Sequence, residues 1–182
     1  MSDIHQDISR VLISADEIQA RIKVLGEEIT VDYQNEDIVL VCILKGAFLF
    51  MADLCRHIRV PVNTEFMAIS SYGHSTESSG VVRILKDLNE SIAGRNVLII
   101  EDIVDTGLTV SYLEQLLEAR KPNSIRICTL SNKPQCHKTP VQIDYCGFIL
   151  PQEFVVGFGL DYRDYYRNLP YIGVLKPEIY QK

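Results

Sequence analysis

The sequence predicts an α/β fold built on a mainly parallel, twisted sheet that is flanked by helices. Three apolar runs, residues 37–44, 97–100 and 125–130, have the composition of strands that are buried on both faces. Segments with helical spacing of apolar residues separate these runs, and strands that alternate with helices favour parallel pairing. From about residue 145 the chain has short strand patterns and few helical ones. We therefore expect one domain over residues 1–182, with a small cap formed largely by residues 145–182.

Composition and charge narrow the functional class. A hydrophobic fraction of 47% with 23% charged residues is ordinary for a globular protein. The net charge of −6, without a lysine- or arginine-rich run, argues against a nucleic-acid or anionic-membrane surface. The longest apolar stretch, residues 38–52, is interrupted by Lys45 and is too short to span a bilayer. The five cysteines form no CxxC pair, and the N-terminus has no signal-peptide pattern, so we expect reduced thiols in a cytoplasmic protein.

The N-terminal half contains a helix, a strand–turn–helix unit and a third strand. Residues 14–17 have the spacing of a capping box, and apolar residues follow at helical spacing. The strand over residues 37–44 ends at Lys45-Gly46, and a helical pattern follows; this turn alone is more typical of a plain surface connection. Residues 64–71 predict a strand that runs into a polar segment, residues 72–80, which is either a surface loop or a lid. Residues 81–85 suggest another strand.

Residues 97–109 organise the chain. Four apolar residues precede Glu101 and Asp102, which we place at the end of the strand, and the polar turn 105–109 then leads into a helical pattern. Such a turn directs backbone N–H groups and two hydroxyls to one point before a helix, which predicts a phosphate cradle. Carboxylates would repel phosphate, so Glu101 and Asp102 are expected to hold sugar hydroxyls or Mg²⁺. The plain alternative is a solvated turn in which Asp105 or Thr106 caps the helix.

Polar residues follow several of the predicted strands. In mainly parallel sheets ligands bind beyond the carboxyl ends of the strands. Lys45, Asp102, Asp105 and Lys133 are therefore expected to converge on one edge of the sheet. Each of them alone could be an ordinary surface charge, and together they predict a site.

The stretch 97–109 resembles the binding motif for 5-phosphoribosyl-1-pyrophosphate (PRPP) of the type I phosphoribosyltransferases. It has two apolar residues, Glu-Asp, two apolar residues and Asp-Thr-Gly-x-Thr. The resemblance extends from about Ile13 to Val174, and the segment from Phe154 to Arg167 is similar to the hypoxanthine-guanine branch of that family. It implies the type I phosphoribosyltransferase fold, with the cap over a purine site. Some family members have lysine in place of Leu108, but a backbone cradle does not need that side chain.

The resemblance implies a purine-salvage enzyme that transfers the 5-phosphoribosyl group of PRPP to N9 of hypoxanthine or guanine, with Mg²⁺ as cofactor. Asp105 is implied as the base that accepts the proton of purine N7. The implied PRPP contacts are Glu101, Asp102, Asp105, Thr106, Gly107, Leu108 and Thr109. The implied pyrophosphate contacts are Leu44, Lys45, Gly46 and Arg167.

The remaining implied roles concern the purine, the metal and the lid. Lys133 would donate to the 6-oxo group of the purine, Phe154 would stack on the base, and the Val155 backbone would read the edge of the base. Asp161 would lie in the same pocket and, with Glu101 and Asp102, would ligate Mg²⁺. Ser71 and Tyr72 would begin a lid loop over the reacting centre. A homodimer or homotetramer with small-molecule partners, and with no nucleic acid or membrane partner, is implied as well.

Two alternatives remain open. The chain could be a regulatory PRPP-binding protein of the same fold, which its acidic balance and its intact Asp105 oppose. It could also act on another base, such as xanthine or a pyrimidine; Lys133 followed by Phe154-Val155 favours a 6-oxopurine. A P-loop nucleotide hydrolase is excluded because the sequence lacks the Gly-x₄-Gly-Lys-Ser/Thr motif.

Overall fold

Strands and helices alternate through most of the chain. The computed structural model describes residues 3–71 and 82–181. In chain order the elements are β1 (Ile8–Ile13), α1 (Ala15–Asp32), β2 (Ile38–Leu44), α2 (Phe48–Leu54), β3 (Val62–Ser71), β4 (Val82–Lys86), β5 (Asn96–Val104), α3 (Leu108–Glu118), β6 (Ser124–Asn132), β7 (Tyr145–Ile149), β8 (Val155–Val156), β9 (Ile172–Leu175) and α4 (Pro177–Tyr180). Short 3₁₀ turns cover Ile4–Asp7, Cys55–His57 and Pro134–Cys136. Tyr72 and the rest of the predicted lid loop lie outside the described residues.

The main sheet confirms the predicted fold class. Its six strands have the order β4-β3-β2-β5-β6-β7. All neighbouring pairs are parallel except β3 and β4, which pair antiparallel at one edge. Parallel neighbours need a crossover between them. Helix α2 lies in the crossover from β2 to β3 and α3 in that from β5 to β6, whereas the connection from β6 to β7 contains only a short 3₁₀ turn. The carboxyl ends of β2, β5 and β6 therefore lie along the same edge of the sheet.

The two faces of the sheet are covered by different helices. Along β2, the side chains of Ile38, Leu40 and Cys42 pack on the face that α1 and α2 cover. Val39, Val41 and Ile43 alternate with them and pack in the cluster that includes the buried residues of α3, Val110, Leu113 and Leu117. A strand that is covered on both sides has no polar face, which explains why residues 37–44 are apolar almost throughout.

The predicted capping box is present at the start of α1. Ser14 Oγ accepts from the Glu17 backbone N–H, and the Glu17 carboxylate accepts from the Ser14 N–H at 2.8 Å. The buried face of α1 consists of Ile18, Ile22, Leu25, Gly26 and Ile29. Within the described ranges, no helix is both long and apolar enough to cross a membrane.

A second, smaller sheet forms the cap, and its composition differs from the expectation. Its order is β1-β9-β8, with both pairs antiparallel. The sequence placed residues 145–182 in the cap, but β7 at residues 145–149 is the edge strand of the main sheet. The N-terminal β1 contributes the third cap strand instead, because its backbone pairs with β9 from Ile8 opposite Leu175 to Ile13 opposite Ile172. The cap is thus built from both ends of the chain.

Candidate active site

Glu101 and Asp102 lie inside β5, not at its end as the sequence had suggested. Strand β5 continues to Val104, which stands opposite Asn132 in the neighbouring β6. Strand length is set by the backbone hydrogen bonds between neighbours, which polar side chains do not interrupt. The two carboxylates are therefore held on a rigid, paired strand.

A glycine marks the junction between the polar turn and α3. Gly107 holds the cap position with φ of +80°, a left-handed conformation that glycine adopts without strain. A β-carbon there would lie 2.7 Å from Cγ2 of Val141, so the turn also has no room for a side chain. The alternative in which Asp105 or Thr106 is the cap residue is therefore wrong. Thr106 Oγ1 accepts only a long hydrogen bond, 3.5 Å, from the Leu108 N–H.

Two adjoining cavities open at the carboxyl edge of the sheet. The first has a volume of about 460 Å³, and its lining includes Leu44, Gly46, Glu101, Asp102, Asp105, Thr106, Gly107, Thr109 and Asp161. The second has a volume of about 220 Å³ and is lined by Asp102, Ile103, Asp105, Lys133, Phe154, Val155, Leu160 and Asp161. The residues that line both cavities are Asp102, Ile103, Asp105 and Asp161. The first cavity contains the phosphate-cradle turn, and the second contains the residues predicted to bind a purine.

Loss of hydration raises the pKa of both carboxyl groups on β5. Glu101 is buried, and burial together with the adjacent Asp102 carboxylate raises its pKa well above the usual range. Burial raises the pKa of Asp102 to about 6, although the Ile103 N–H donates to its Oδ1 at 2.8 Å. The charge of Arg167 acts in the same direction as that hydrogen bond, toward a lower pKa for Asp102. A cationic group entering the first cavity would favour ionisation of both acids.

Two glycines allow three distant segments to meet beside the first cavity. A β-carbon on Gly46 would lie 1.7 Å from Oδ2 of Asp102, and one on Gly159 would lie 2.0 Å from the Gly46 carbonyl oxygen. Gly159 also has φ of +99°. The turn after β2, the strand β5 and the cap segment around Gly159 are thus in direct contact. The peptide bond between Leu44 and Lys45 is cis.

Lys45 and Arg167, both predicted to bind pyrophosphate, are engaged by carboxylates of the cap. Lys45 Nζ lies 2.9 Å from Oδ2 of Asp164. Arg167 Nη2 lies 2.8 Å from Oδ1 of Asp161 and 3.0 Å from Oδ1 of Asp164, while Nη1 donates to the Gly159 carbonyl at 2.7 Å. In the described part of the chain, neither cation contributes to the lining of the two cavities. Both lie at the border of the site, beside the glycine contact described above. Lys45 directly precedes Gly46 in the chain, and Arg167, eight positions after Gly159, is hydrogen-bonded to it.

The residues that the resemblance assigns to the purine line the second cavity. Lys133 is buried, and its Nζ donates to the Glu153 carbonyl at 2.7 Å. Phe154 lines the cavity, stacks on Tyr180 with ring centroids 4.7 Å apart, and meets Tyr162 edge-on. Val155 is buried, pairs with β9 and lines the cavity.

Sequence reasoning missed several contributors to the site. Ile103 and Leu160 line the second cavity, and Tyr180 and Asp164 contact predicted site residues, yet no local pattern marks them. The side chain of Leu108 does not contribute to the lining of either cavity in the described part of the chain. Ser71 is the last residue of β3, two positions after Ile69, which lines the first cavity.

Comparisons with known proteins agree on one family. The family model described as phosphoribosyl transferase domain matches residues 14–163. The chain is 54% identical to the hypoxanthine-guanine phosphoribosyltransferase of Bacillus subtilis, with 96% of this chain and 97% of that protein covered. It is 55% identical to the protein of the same name from Mycobacterium tuberculosis, with 96% and 90% covered. A bifunctional protein TilS/HprT of Listeria innocua is 52% identical over 98% of this chain, which spans only 28% of that protein's length.

The solved structures give the same picture. The crystal structure of a hypoxanthine phosphoribosyltransferase from Staphylococcus aureus superposes with a TM-score of 0.96 at 49% sequence identity. That superposition covers 100% of this chain and 98% of the other. The likeness therefore includes the cap as well as the main sheet.

Proposed function

We propose, since the chain belongs to the phosphoribosyltransferase family, that it is a purine-salvage enzyme. It transfers the 5-phosphoribosyl group of PRPP to N9 of hypoxanthine or guanine and releases pyrophosphate. The family membership confirms the resemblance seen in the motif at residues 97–109. Relatives named hypoxanthine-guanine phosphoribosyltransferase, at about 55% identity over nearly the whole chain, support the choice of base.

The observation that carries this proposal is the shared border of the two cavities. A sugar phosphate held by the turn 105–109 in the first cavity and a flat base held near Phe154 in the second would meet where Asp102, Asp105 and Asp161 line both. Bringing two reactants together in one fixed geometry is itself a large part of catalysis. The proposed reaction joins the two molecules at that border.

The turn 105–109 binds the 5′-phosphate of PRPP in this proposal. It immediately precedes α3, so backbone N–H groups and the positive end of the helix face the same point. Thr106 and Thr109 line the cavity and can add hydroxyl hydrogen bonds. Gly107 also lines the cavity and, having no side chain, does so through its backbone atoms.

Glu101 and Asp102 hold the ribose hydroxyls and stabilise the charge that develops on the ring. As the bond from ribose C1 to pyrophosphate weakens, positive charge accumulates on the sugar. Carboxylates in a poorly hydrated cavity stabilise such a charge far more than they would in water. The raised pKa of both groups has the same origin, which is burial away from water.

Mg²⁺ is the proposed cofactor, and the donor set suits it in part. Mg²⁺ takes oxygen ligands and is commonly bound by one or two carboxylates together with substrate phosphates. Asp102 and Asp161 line both cavities and can provide such oxygens, and Glu101 lies beside them. Among the described residues, no group of three or more His, Cys, Asp or Glu side chains is arranged to hold a metal ion. When bound, Mg²⁺ would neutralise charge on the leaving pyrophosphate.

Asp105 is the proposed general base of the reaction, and Lys133 is proposed to select the purine. Asp105 lines both cavities, so it can face purine N7 while the turn that carries it binds phosphate. Lys133 can donate to the 6-oxo group of hypoxanthine or guanine, whereas the 6-amino group of adenine cannot accept that bond. Phe154 stacks on the ring, and the Val155 backbone contacts its edge.

The remaining proposals concern assembly and location. We propose a single domain over residues 1–182, a homodimer or homotetramer, and a cytoplasmic location, on the basis of the family resemblance. Light scattering coupled to size-exclusion chromatography tests the assembly. A mass of one 20.7 kDa chain in solution would contradict it.

The reaction is tested by pyrophosphate release. Purified protein with PRPP and Mg²⁺ receives hypoxanthine, guanine, xanthine or adenine in separate reactions. We expect release with hypoxanthine or guanine and none with adenine. Release with xanthine alone would move the proposal to another base. Binding of PRPP without release from any base would replace the enzyme with a PRPP-sensing protein.

A further inference from the structure

One carboxylate in the cap bridges the two cations that are assigned to pyrophosphate. Oδ2 of Asp164 lies 2.9 Å from Lys45 Nζ, and Oδ1 lies 3.0 Å from Arg167 Nη2. The two cations come from segments 122 positions apart in the chain. A carboxylate that offers one oxygen to each of two cations presents the same hydrogen-bonding pattern as two oxygens of a phosphate group.

The backbone holds Asp164 in this position. Tyr162 and Tyr165 exchange backbone hydrogen bonds of 3.2 and 3.1 Å, and the two residues between them, Arg163 and Asp164, both have positive φ, 54° and 67°. Positive φ at both central residues is the requirement of a type I′ turn. The Asp164 N–H also donates to Oδ2 of Asp161 at 2.8 Å. Arginine in a left-handed conformation is uncommon, and such positions cluster at functional sites.

The charge environment agrees with a bridging role. Hydrogen bonds from Lys45 and then Arg167 lower the pKa of Asp164, so the carboxylate is ionised throughout the neutral range. Arg167 shares its Nη2 with Asp161, the proposed Mg²⁺ ligand. A pyrophosphate that reaches Arg167 must therefore compete with Asp164 for the same guanidinium.

We propose that Asp164 is a positioning residue that acts as an internal counter-ion for the pyrophosphate-binding cations. It holds Lys45 and Arg167 while the site is free and releases them to pyrophosphate, and this exchange weakens the binding of pyrophosphate. The proposal rests on the proposed function, which assigns Lys45 and Arg167 to that group. Weaker pyrophosphate binding favours release of the product after the transfer.

Calorimetric titration with inorganic pyrophosphate at a fixed Mg²⁺ concentration tests the competition. We expect Asp164→Asn to bind pyrophosphate about three- to tenfold more tightly than the wild type, because two exposed ion pairs that compete with the ligand are lost. Asparagine tolerates the left-handed turn position, so the fold is retained. Asp164→Glu keeps a carboxylate in reach of both cations and is expected to bind within about twofold of the wild type.

Asp37→Asn is the matched control. Asp37 is similarly exposed, 67% against 61% for Asp164, and it also pairs with an arginine, Arg95 at 3.1 Å. It precedes β2, at the opposite end of that strand from Lys45, so it changes the net charge without touching the proposed site. We expect its pyrophosphate affinity to equal that of the wild type.

The outcomes separate this inference from the proposed function. If Asp164→Asn bound pyrophosphate equally or more weakly while the wild type bound it and released it from PRPP, the counter-ion role would be refuted and the enzyme would stand. An equal gain in pyrophosphate affinity in Asp37→Asn would show that the effect comes from net charge alone, and would also refute the counter-ion role. If the wild type neither bound nor released pyrophosphate, the proposed function itself would fail.

Discussion

The contact between the cap and the pyrophosphate turn gives a sharp prediction for Gly159→Ala. The new β-carbon would lie 2.0 Å from the Gly46 carbonyl oxygen, and the residue would have to keep φ of +99° or move the cap. A non-glycine residue in such a conformation costs about 1–3 kcal/mol. Displacing a backbone carbonyl adds about as much as an overpacked core, roughly 1–3 kcal/mol. We expect a total loss of about 2–6 kcal/mol, which lowers Tm by about 4–24 °C for a chain of this size.

Gly94→Ala separates the cost of a positive φ from the cost of the close contact. Gly94 also has positive φ, +72°, but a β-carbon there meets no atom within 4 Å in the described part of the chain. We expect Gly94→Ala to lose about 1–3 kcal/mol, the conformational part alone, and to leave the KM for PRPP unchanged. Gly159→Ala should also raise the KM for PRPP, because Gly159 bonds to Arg167 through both its N–H and its carbonyl. Thermal unfolding followed by circular dichroism, with PRPP kinetics, measures both effects. Equal losses of stability in the two variants would refute the role assigned to the close contact.

Three further predictions test the site. Asp105→Asn should lower kcat by about 10²–10⁴-fold while PRPP affinity is largely kept. Steady-state kinetics and a PRPP titration measure the two effects. Loss of PRPP binding with an unchanged kcat would contradict a general base. Asp102 has a folded-state pKa of about 6, above its ordinary 3.8, so the native state binds the extra proton and stability falls as pH rises from about 4 to about 6. Asp102→Asn should reduce that fall, leaving the part that the raised pKa of Glu101 contributes, and should be more stable than the wild type at pH 7 by about 1–3 kcal/mol. Unfolding curves recorded across that range measure the difference, and equal pH profiles would show that burial does not perturb this group. Tyr180→Leu should raise the KM for hypoxanthine about two- to tenfold, because the ring stacked on Phe154 is lost. Tyr180→Phe keeps the stack and should keep the wild-type KM. Equal KM values for the two variants would exclude the stacking role.

The main sheet could be predicted because its signals are local. Residues 37–44 are apolar because both faces of β2 are covered, and a short window of sequence is enough to recognise such a strand. The capping box at Ser14 depends on two residues three positions apart. The turn 105–109 was recognisable for the same reason, since its glycine and hydroxyls are consecutive. The predicted strand end at Glu101 was wrong because β5 is lengthened by pairing with β6, which a single segment does not reveal.

The cap could not be predicted in full because its contacts join distant segments. Strand β1 pairs with β9 across more than 150 residues, and the exposed middle of β1 gives no alternating pattern. Tyr180 and Asp164 acquire their roles only when the cap brings them to Phe154 and Lys45. No local sequence pattern identifies residues of this kind, because the residue that each of them contacts lies in a distant part of the chain.

The geometry of the site depends on two glycines, Gly46 and Gly159, as much as on its functional side chains. Asp102 lies against Gly46, and Gly46 lies against Gly159, so a strand of the sheet, the pyrophosphate turn and the cap touch through backbone atoms. This contact sets the distance between the carboxylates of β5 and the Arg167 guanidinium, which is bonded to Gly159. A substitution at either glycine would therefore move the cationic groups relative to the acidic ones. Since the proposed transfer needs the ribose and the pyrophosphate held at once, such a shift is expected to impair PRPP binding even where every functional side chain is retained.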